Sequence, residues 1–278
     1  MFDFQAAIKQ ATEALNSPKL ELMVLGSSGS GKSSCIGTIG VKTLYLFGSR
    51  ESHGPKAASV AGGSNIVPIN FEFATPASGQ GPRELTADES YSFLTFILQQ
   101  DEWLKKEKFE AIALDGMAVL ENIVKGTTEF KKRCTAANGK HNTFKESEAA
   151  QELISDIINL LKRAQRNHGV HIIVTSMLDV KEVDAFGSIV EAVPKLQSFG
   201  LAETLVAAFG DVLVVGKMQK GGVVKYKFQS GSDLVKVSKD ELGNVKKMLN
   251  FSPRISGKSL PPVMDANLSE VVKLKATK

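Results

Sequence analysis

The sequence predicts an α/β protein built on a mainly parallel, doubly wound sheet that ends in a C-terminal β-hairpin. Three observations predict it. Compact apolar runs of strand length alternate with amphipathic helical segments, a small-residue loop joins the first run to a helix, and Gly221-Gly222 separate two late strand-like runs. Strands separated by helices enter a sheet in parallel, and such sheets bind ligands at the carboxyl ends of their strands.

Phe2 to Leu15 reads as a short amphipathic helix with Phe4, Ile8 and Leu15 near one face, ended by Asn16-Ser17-Pro18. Leu20 to Leu25 is a buried strand, Gly26 to Gly31 a loop, and Lys32 starts a helix. Lys42 to Phe47 and Asn65 to Phe73 are the second and third strands. Thr75 to Ser90, rich in Pro, Gly and Ser, is expected as a surface loop. Tyr91 to Lys106 is expected as one helix and Phe109 to Asp115 as the fourth strand. Lys125 to Lys145 lacks apolar periodicity and is expected as a flexible basic loop. Ser147 to Asn167 is the clearest helix, with a wide apolar face and Gly169 as its stop. Val170 to Ser176 is the fifth strand, and Asp179 to Gly200 is expected as a loop or broken helix. Asp211 to Val215 and Val223 to Phe228 make the hairpin, and the tail from Asp233 is expected to be mostly irregular. The organisation expected is an N-terminal helix over 1–19, a core over 20–232, and a strand and tail over 233–278.

At 278 residues, 42% of them hydrophobic, the chain is long enough for one large core. A net charge of +4 is too small by itself to require a nucleic-acid partner. The two cysteines, Cys35 and Cys134, have no metal-ligand spacing, which argues against a disulfide scaffold and for a reducing compartment. No signal peptide is expected, because the N-terminal segment carries Asp3 and Glu13 and lacks a long apolar run. No membrane span is expected either, since the most apolar stretch, Leu205 to Val215, is short and broken by Gly210 and Asp211. A cytoplasmic location follows as an expectation.

Gly26-Ser27-Ser28-Gly29-Ser30-Gly31-Lys32-Ser33 matches the phosphate-loop pattern G-x-x-x-x-G-K-[ST] in full, and Ser34 continues it into the helix. Each residue type answers a need. Glycines let successive N–H groups turn inward around a phosphate. Lys32 reaches the β- and γ-phosphates as a point charge, and Ser33 ligates Mg²⁺ through its hydroxyl. Phe109 to Asp115 is an apolar strand ending in a carboxylate, the form of a Walker B strand, so Asp115 is the second candidate metal residue. Two strands intervene in sequence, which points to the P-loop branch whose two motif strands are not neighbours. The cofactors implied are ATP and Mg²⁺; no guanine-selecting N-K-x-D motif is present.

Hydrolysis needs a carboxylate to orient or deprotonate water. Gly116 follows Asp115 where many P-loop ATPases carry Glu, so Glu51, just past the second strand, is the first candidate base, ahead of Glu72 and Glu121. His53 reads as a surface histidine. Thr175 and Ser176 end the fifth strand, where a polar residue can touch the γ-phosphate.

In the order and strand positions of the phosphate loop, Glu51, Asp115 and Thr175-Ser176, the chain resembles the RecA-like ATPases. The match is closest to the small phage-encoded proteins of that group, including the single-strand-annealing ATPases. Pro194-Lys195, the run from Phe209 to Val215 and the run from Asp233 to Lys239 resemble their later strands, so the likeness spans about Leu20 to Lys239. It implies a RecA-like P-loop core, Mg-ATP hydrolysis, assembly into rings or filaments, and single-stranded DNA as a partner in phage recombination, annealing or replication. It implies DNA contacts from the first of two loops, at Lys125, Lys131, Lys132, Arg133, Lys140 and Lys145, with Glu129 the one opposing acid in that segment. It also makes Lys236 and Lys239 candidates for a cation delivered to a neighbouring subunit's γ-phosphate.

Two features depart from that pattern. The second loop carries Asp179, Glu182, Asp184 and Glu191 against Lys181 and Lys195, an acidic balance that repels DNA. The fifth strand ends in Ser176-Met177 rather than an amide or imidazole. An alternative therefore stands beside DNA handling: a nucleotide-dependent assembly or loading factor that binds a protein partner. A small-molecule kinase ranks third, because no arginine-rich lid is evident.

Overall fold

The computed structural model describes residues 19–51, 53–75, 81–136, 138–183, 189–198, 200–220, 223–229, 238–239, 245–246, 254–256, 258 and 263–277. The helix read at Phe2 to Leu15, and Lys236, lie outside the described residues.

The core strands are β1 (Glu21–Gly26), β2 (Thr43–Phe47), β3 (Ile66–Asn70), β6 (Ala111–Asp115), β7 (His171–Val183), β9 (Asp211–Lys220), β10 (Val223–Gln229) and β13 (Val263–Asp265). The pairs β4–β5 (Phe73–Ala74, Arg83–Glu84) and β11–β12 (Ser238–Lys239, Val245–Lys246) are two-residue ladders apart from the sheet. The main sheet runs β13-β10-β9-β1-β7-β6-β2-β3. Every pairing from β9 to β3 is parallel; β10 and β13 add antiparallel strands at one edge. The sheet is thus mainly parallel with a C-terminal hairpin, β9–β10. β7 lies between β1 and β6, so the two motif strands are indeed not neighbours.

Parallel strands need both faces covered, which explains their continuous apolar runs. On one face Met23, Leu25, Ile112, Leu114 and Val174 pack against α3 (Ala87–Gln99), α5 (Met117–Gly126), α7 (Glu146–His168) and α8 (Leu201–Ala208). Leu94, Leu120, Ile154 and Leu205 carry that contact. On the other, Leu22, Val24, Ala113 and Ile173 meet α1 (Lys32–Gly37), α2 (Gly54–Gly62) and α9 (Leu268–Ala276) through Ile36, Ala58 and Val271. Alternate residues of one strand serve opposite layers, as the period-2 pleat requires.

Four stretches differ from the sequence reading. The helix expected over Tyr91 to Lys106 begins earlier, at Ala87, and breaks at Gln100 into α3 and α4 (Asp101–Lys106). Its start is a capping box: the Thr86 side chain accepts from the Glu89 N–H, and the Glu89 side chain accepts from the Thr86 N–H. The basic stretch from Lys125 to Lys145 is not a plain loop. It holds α6 (Thr128–Arg133), capped by Thr127 and seated by buried Phe130 and Cys134. The stretch from Asp179 to Gly200 carries strand among its described residues, with loop over 195–198. β7 runs on to Val183 and pairs antiparallel with β8 (Ile189–Pro194). The tail is not mostly irregular where it is described, since β13 joins β10 and α9 covers the sheet. Among the described residues no helix is long and apolar enough to cross a membrane.

Candidate functional site

The phosphate-loop segment follows β1 and turns into α1 at the carboxyl ends of the strands. The turn closes with the Ser30 N–H donating to the Ser27 carbonyl at 3.2 Å. Gly31 has φ 96°, and a Cβ there would stand 2.6 Å from the Tyr226 ring, so glycine is demanded twice over. The Lys32 ammonium folds back over the loop and donates to the Gly26 and Ser27 carbonyls, both at 2.9 Å. Burial lowers the Lys32 pKa, opposed by the negative charges of Asp115 and Glu51. That opposition puts both carboxylates within electrostatic range of the loop's cation.

Asp115 ends β6 and is 1% exposed. The Ser33 hydroxyl donates to it at 2.7 Å, and the Tyr45 and Thr175 hydroxyls donate to it as well. Thr175 in turn accepts from the Gly116 N–H at 3.0 Å. Parallel register sets this up: Asp115 pairs with Phe47 on one side and Thr175 on the other, so strand ends coincide. Burial, followed by the charge and hydrogen bond of Asp115, drives the Tyr45 pKa upward and keeps it a donor.

Glu51 lies in a short 3₁₀ turn after β2. Gly116, at φ 101°, leaves it room: a Cβ on Gly116 would come 2.9 Å from the Glu51 Cγ. The Glu51 pKa is raised, first by burial and then by the Asp115 charge, against the pull of Lys32. Gly116, directly after Asp115, thus makes space for a carboxylate arriving from the end of β2.

The loop residues and Glu51 border a cavity of about 770 Å³, a size suited to a small-molecule ligand. Ser28, Gly29, Gly31, Lys32, Ser33, Ser34 and Glu51 line it, with Tyr226 and Lys195 on other walls. Among buried side-chain atoms, Ser30 Oγ has no hydrogen-bond partner. A buried orphan hydroxyl within the loop, the folded-back cation and the Ser33–Asp115 pair suit a triphosphate and a hard cation. Among the described residues no group of three or more His, Cys, Asp or Glu stands ready as a metal cage. Mg²⁺ needs none, since it is ordinarily held by one or two protein oxygens, substrate phosphates and water.

The other predicted residues fall as follows. Thr175 is fully buried and its hydroxyl is committed to Asp115 and Gly116, while the Ser176 hydroxyl turns to the Met177 carbonyl at 3.4 Å. Neither lines the cavity; Met177 does. The Thr175 hydroxyl thus holds Asp115, and the Ser176 hydroxyl turns to the backbone of its own strand. Lys125 pairs with Glu121 at 3.2 Å, and Arg133 pairs with Glu129 and Glu152. Lys131, Lys132, Lys140 and Lys145 are exposed. The backbone of Lys239 belongs to the small β11–β12 ladder. Glu72 accepts from the Ser49 N–H and Glu121 is 1% exposed, so both lesser base candidates have structural employment.

Sequence reasoning missed Tyr45, Tyr226 and Lys195. Tyr45 reads as one more apolar strand residue, and only the parallel register brings it to Asp115. Tyr226 lies on β10 and Lys195 just past β8, and no local pattern brings either to the phosphate loop.

No protein-family model matches the chain, and a search of curated proteins finds no match. The fold is a mostly parallel α/β architecture compatible with P-loop nucleotide binding.

Proposed function

We propose that this protein is a Mg-dependent ATPase of RecA-like architecture that works on single-stranded DNA. The observation that carries the nucleotide reading is the meeting of three strand ends. The loop cation Lys32, the Ser33–Asp115 pair at 2.7 Å and the half-buried Glu51 converge on one cavity. The strand order, with β7 between β1 and β6, supports the RecA-like assignment.

The loop amides and Lys32 bind the phosphates, with Lys32 exchanging its carbonyl partners for phosphate oxygens. Ser33 and Asp115 would hold Mg²⁺, which would supply positive charge against the phosphates. Tyr45 and Thr175 orient Asp115. Glu51 takes a proton from the attacking water, and its raised pKa makes it a stronger base than an ordinary carboxylate. Tyr226, 38% exposed beside Gly31, offers an aromatic face to the base.

Phe144 supports the DNA reading. It is 95% exposed and lies in the same stretch of sequence as Lys131, Lys132, Lys140 and Lys145, the mixture of stacking surface and cations that binds single strands. The second reading is a nucleotide-dependent assembly factor. It draws on the acidic sequence of the β7–β8 hairpin and on the carboxylate partners already held by Lys125 and Arg133.

The deciding experiment is phosphate release from Mg-ATP with and without single-stranded DNA over a salt series, beside Lys32→Ala. Turnover stimulated by DNA at low salt and lost in the variant is expected. Turnover indifferent to DNA, with assembly that follows nucleotide, favours the second reading. Wild-type and variant chains that behave alike overturn the ATPase.

A further inference from the structure

The cavity has a wall that the phosphate-loop pattern does not account for. It is built from Met177, Lys195, Leu196 and Gln197. Lys195 immediately follows β8, where the chain returns from the hairpin toward the sheet. Its backbone N–H donates to the Met177 carbonyl at 2.7 Å, which pins it to β7 two residues past Thr175. Met177 pairs in register with Gly26 at the start of the phosphate loop, so the Lys195 backbone is held at the strand ends beside that loop.

A second device fixes the same segment. Glu121 on α5 is buried, yet its carboxylate is fully employed. It accepts from the Gln197 N–H at 2.8 Å, the Ser198 N–H at 2.7 Å and the Ser198 hydroxyl at 2.7 Å, and it pairs with Lys125. Burying a carboxylate is costly unless its oxygens are satisfied, and here backbone amides of one short segment satisfy them. The result is a rigid seat for the four residues that follow β8.

Charge balance gives the seat a use. Lys32 and Lys195 are the two lysines among the lining residues, which also include Glu51 and Glu121. A fully ionised triphosphate brings more negative charge than Lys32 and one divalent ion neutralise, whereas a diphosphate is matched by them.

We propose that Lys195 is a second phosphate-binding cation that recognises the terminal phosphate of a nucleoside triphosphate, with Glu121 as the positioning residue that holds it in reach. The proposal rests on the nucleotide reading above. It ties the β7–β8 hairpin to the nucleotide through the residue that closes the hairpin.

The test compares equilibrium binding of a non-hydrolysable ATP analogue and of ADP, both with Mg²⁺, by the wild-type chain, Lys195→Ala, Lys195→Arg and Glu121→Gln. Lys195→Ala should lose about tenfold or more in affinity for the ATP analogue, the worth of one charged hydrogen bond, and keep its ADP affinity. Lys195→Arg should restore most of the difference, and Glu121→Gln should reproduce part of the selective loss. An exposed lysine is a safe substitution for folding, so Lys195→Ala carries the decision. If it keeps the wild-type preference for the ATP analogue, or weakens both nucleotides equally, the proposal is overturned while the nucleotide reading stands. A wild-type chain that binds neither nucleotide overturns the nucleotide reading and this proposal together.

Discussion

The two ends of the sheet handle buried charge in opposite ways. At the amino ends of the strands Asp211 is fully buried and fully answered. It accepts from the Glu21 N–H at 3.0 Å and the Ser256 N–H at 2.8 Å, and Lys275 from α9 pairs with it at 2.5 Å. His171 lies at the same end of the sheet, at the start of β7, neutral and accepting the Leu20 N–H at 3.0 Å through Nδ1. At the carboxyl ends Glu51 and Lys32 are only partly buried, each is destabilised in its charged form by burial, and Ser30 Oγ has no partner. One end is sealed and satisfied; the other holds polar groups short of partners. Natural sites keep unmet polar capacity where a ligand will meet it, and meet it elsewhere.

Glu51→Gln tests the open end most severely. It should leave nucleotide binding intact and lower turnover by about a thousandfold, within the range for losing a general base. Because the raised pKa means that the ionised carboxyl opposes folding, the variant should melt no lower than wild type at pH 7. In the wild type, kcat should fall with decreasing pH through a pKa above the ordinary carboxylate range, since only ionised Glu51 accepts the proton. Normal turnover in the variant would erase the contrast.

Asp211→Ala tests the closed end. Stripping one partner from a buried ion pair should cost on the order of 3–5 kcal/mol in denaturant unfolding and leave nucleotide affinity of the folded protein unchanged. A variant with altered affinity would show that the two ends are not independent.

His171 gives the smallest and most local effect. Burial, with Lys19 and Lys275 nearby, depresses its pKa from 6.5 to about 4. The unfolded chain then binds the proton that the folded chain refuses. Stability is therefore fully present above pH 6.5 and declines as pH falls toward 4, by about 3 kcal/mol at most. His171→Gln should flatten that slope in pH-dependent melting without moving the kcat profile.

The sequence made the open end legible in part. The phosphate loop and Asp115 are local patterns, and a strand followed by glycines is read without knowing its neighbours. Glu51 was reachable because Gly116 removed the competing choice. The cluster around Asp115 was not, since Tyr45 and Thr175 reach it only through parallel register with β2 and β7. The misread segments share a cause. Thr86-x-x-Glu89 is a capping box hidden in a Pro- and Gly-rich stretch, and the β7–β8 hairpin lies in a polar run with weak alternation. The closed end was illegible because Asp211 and Lys275 are sixty-four residues apart.

β7 has 13 residues and spends them on two tasks. Its first part is a central rail of the sheet and carries Thr175; its last part is one arm of the hairpin. A macromolecule gripping that arm pulls on unbroken backbone that ends in the Asp115 cluster. By thermodynamic reciprocity, whatever factor nucleotide lends to such a grip, the grip returns to nucleotide affinity.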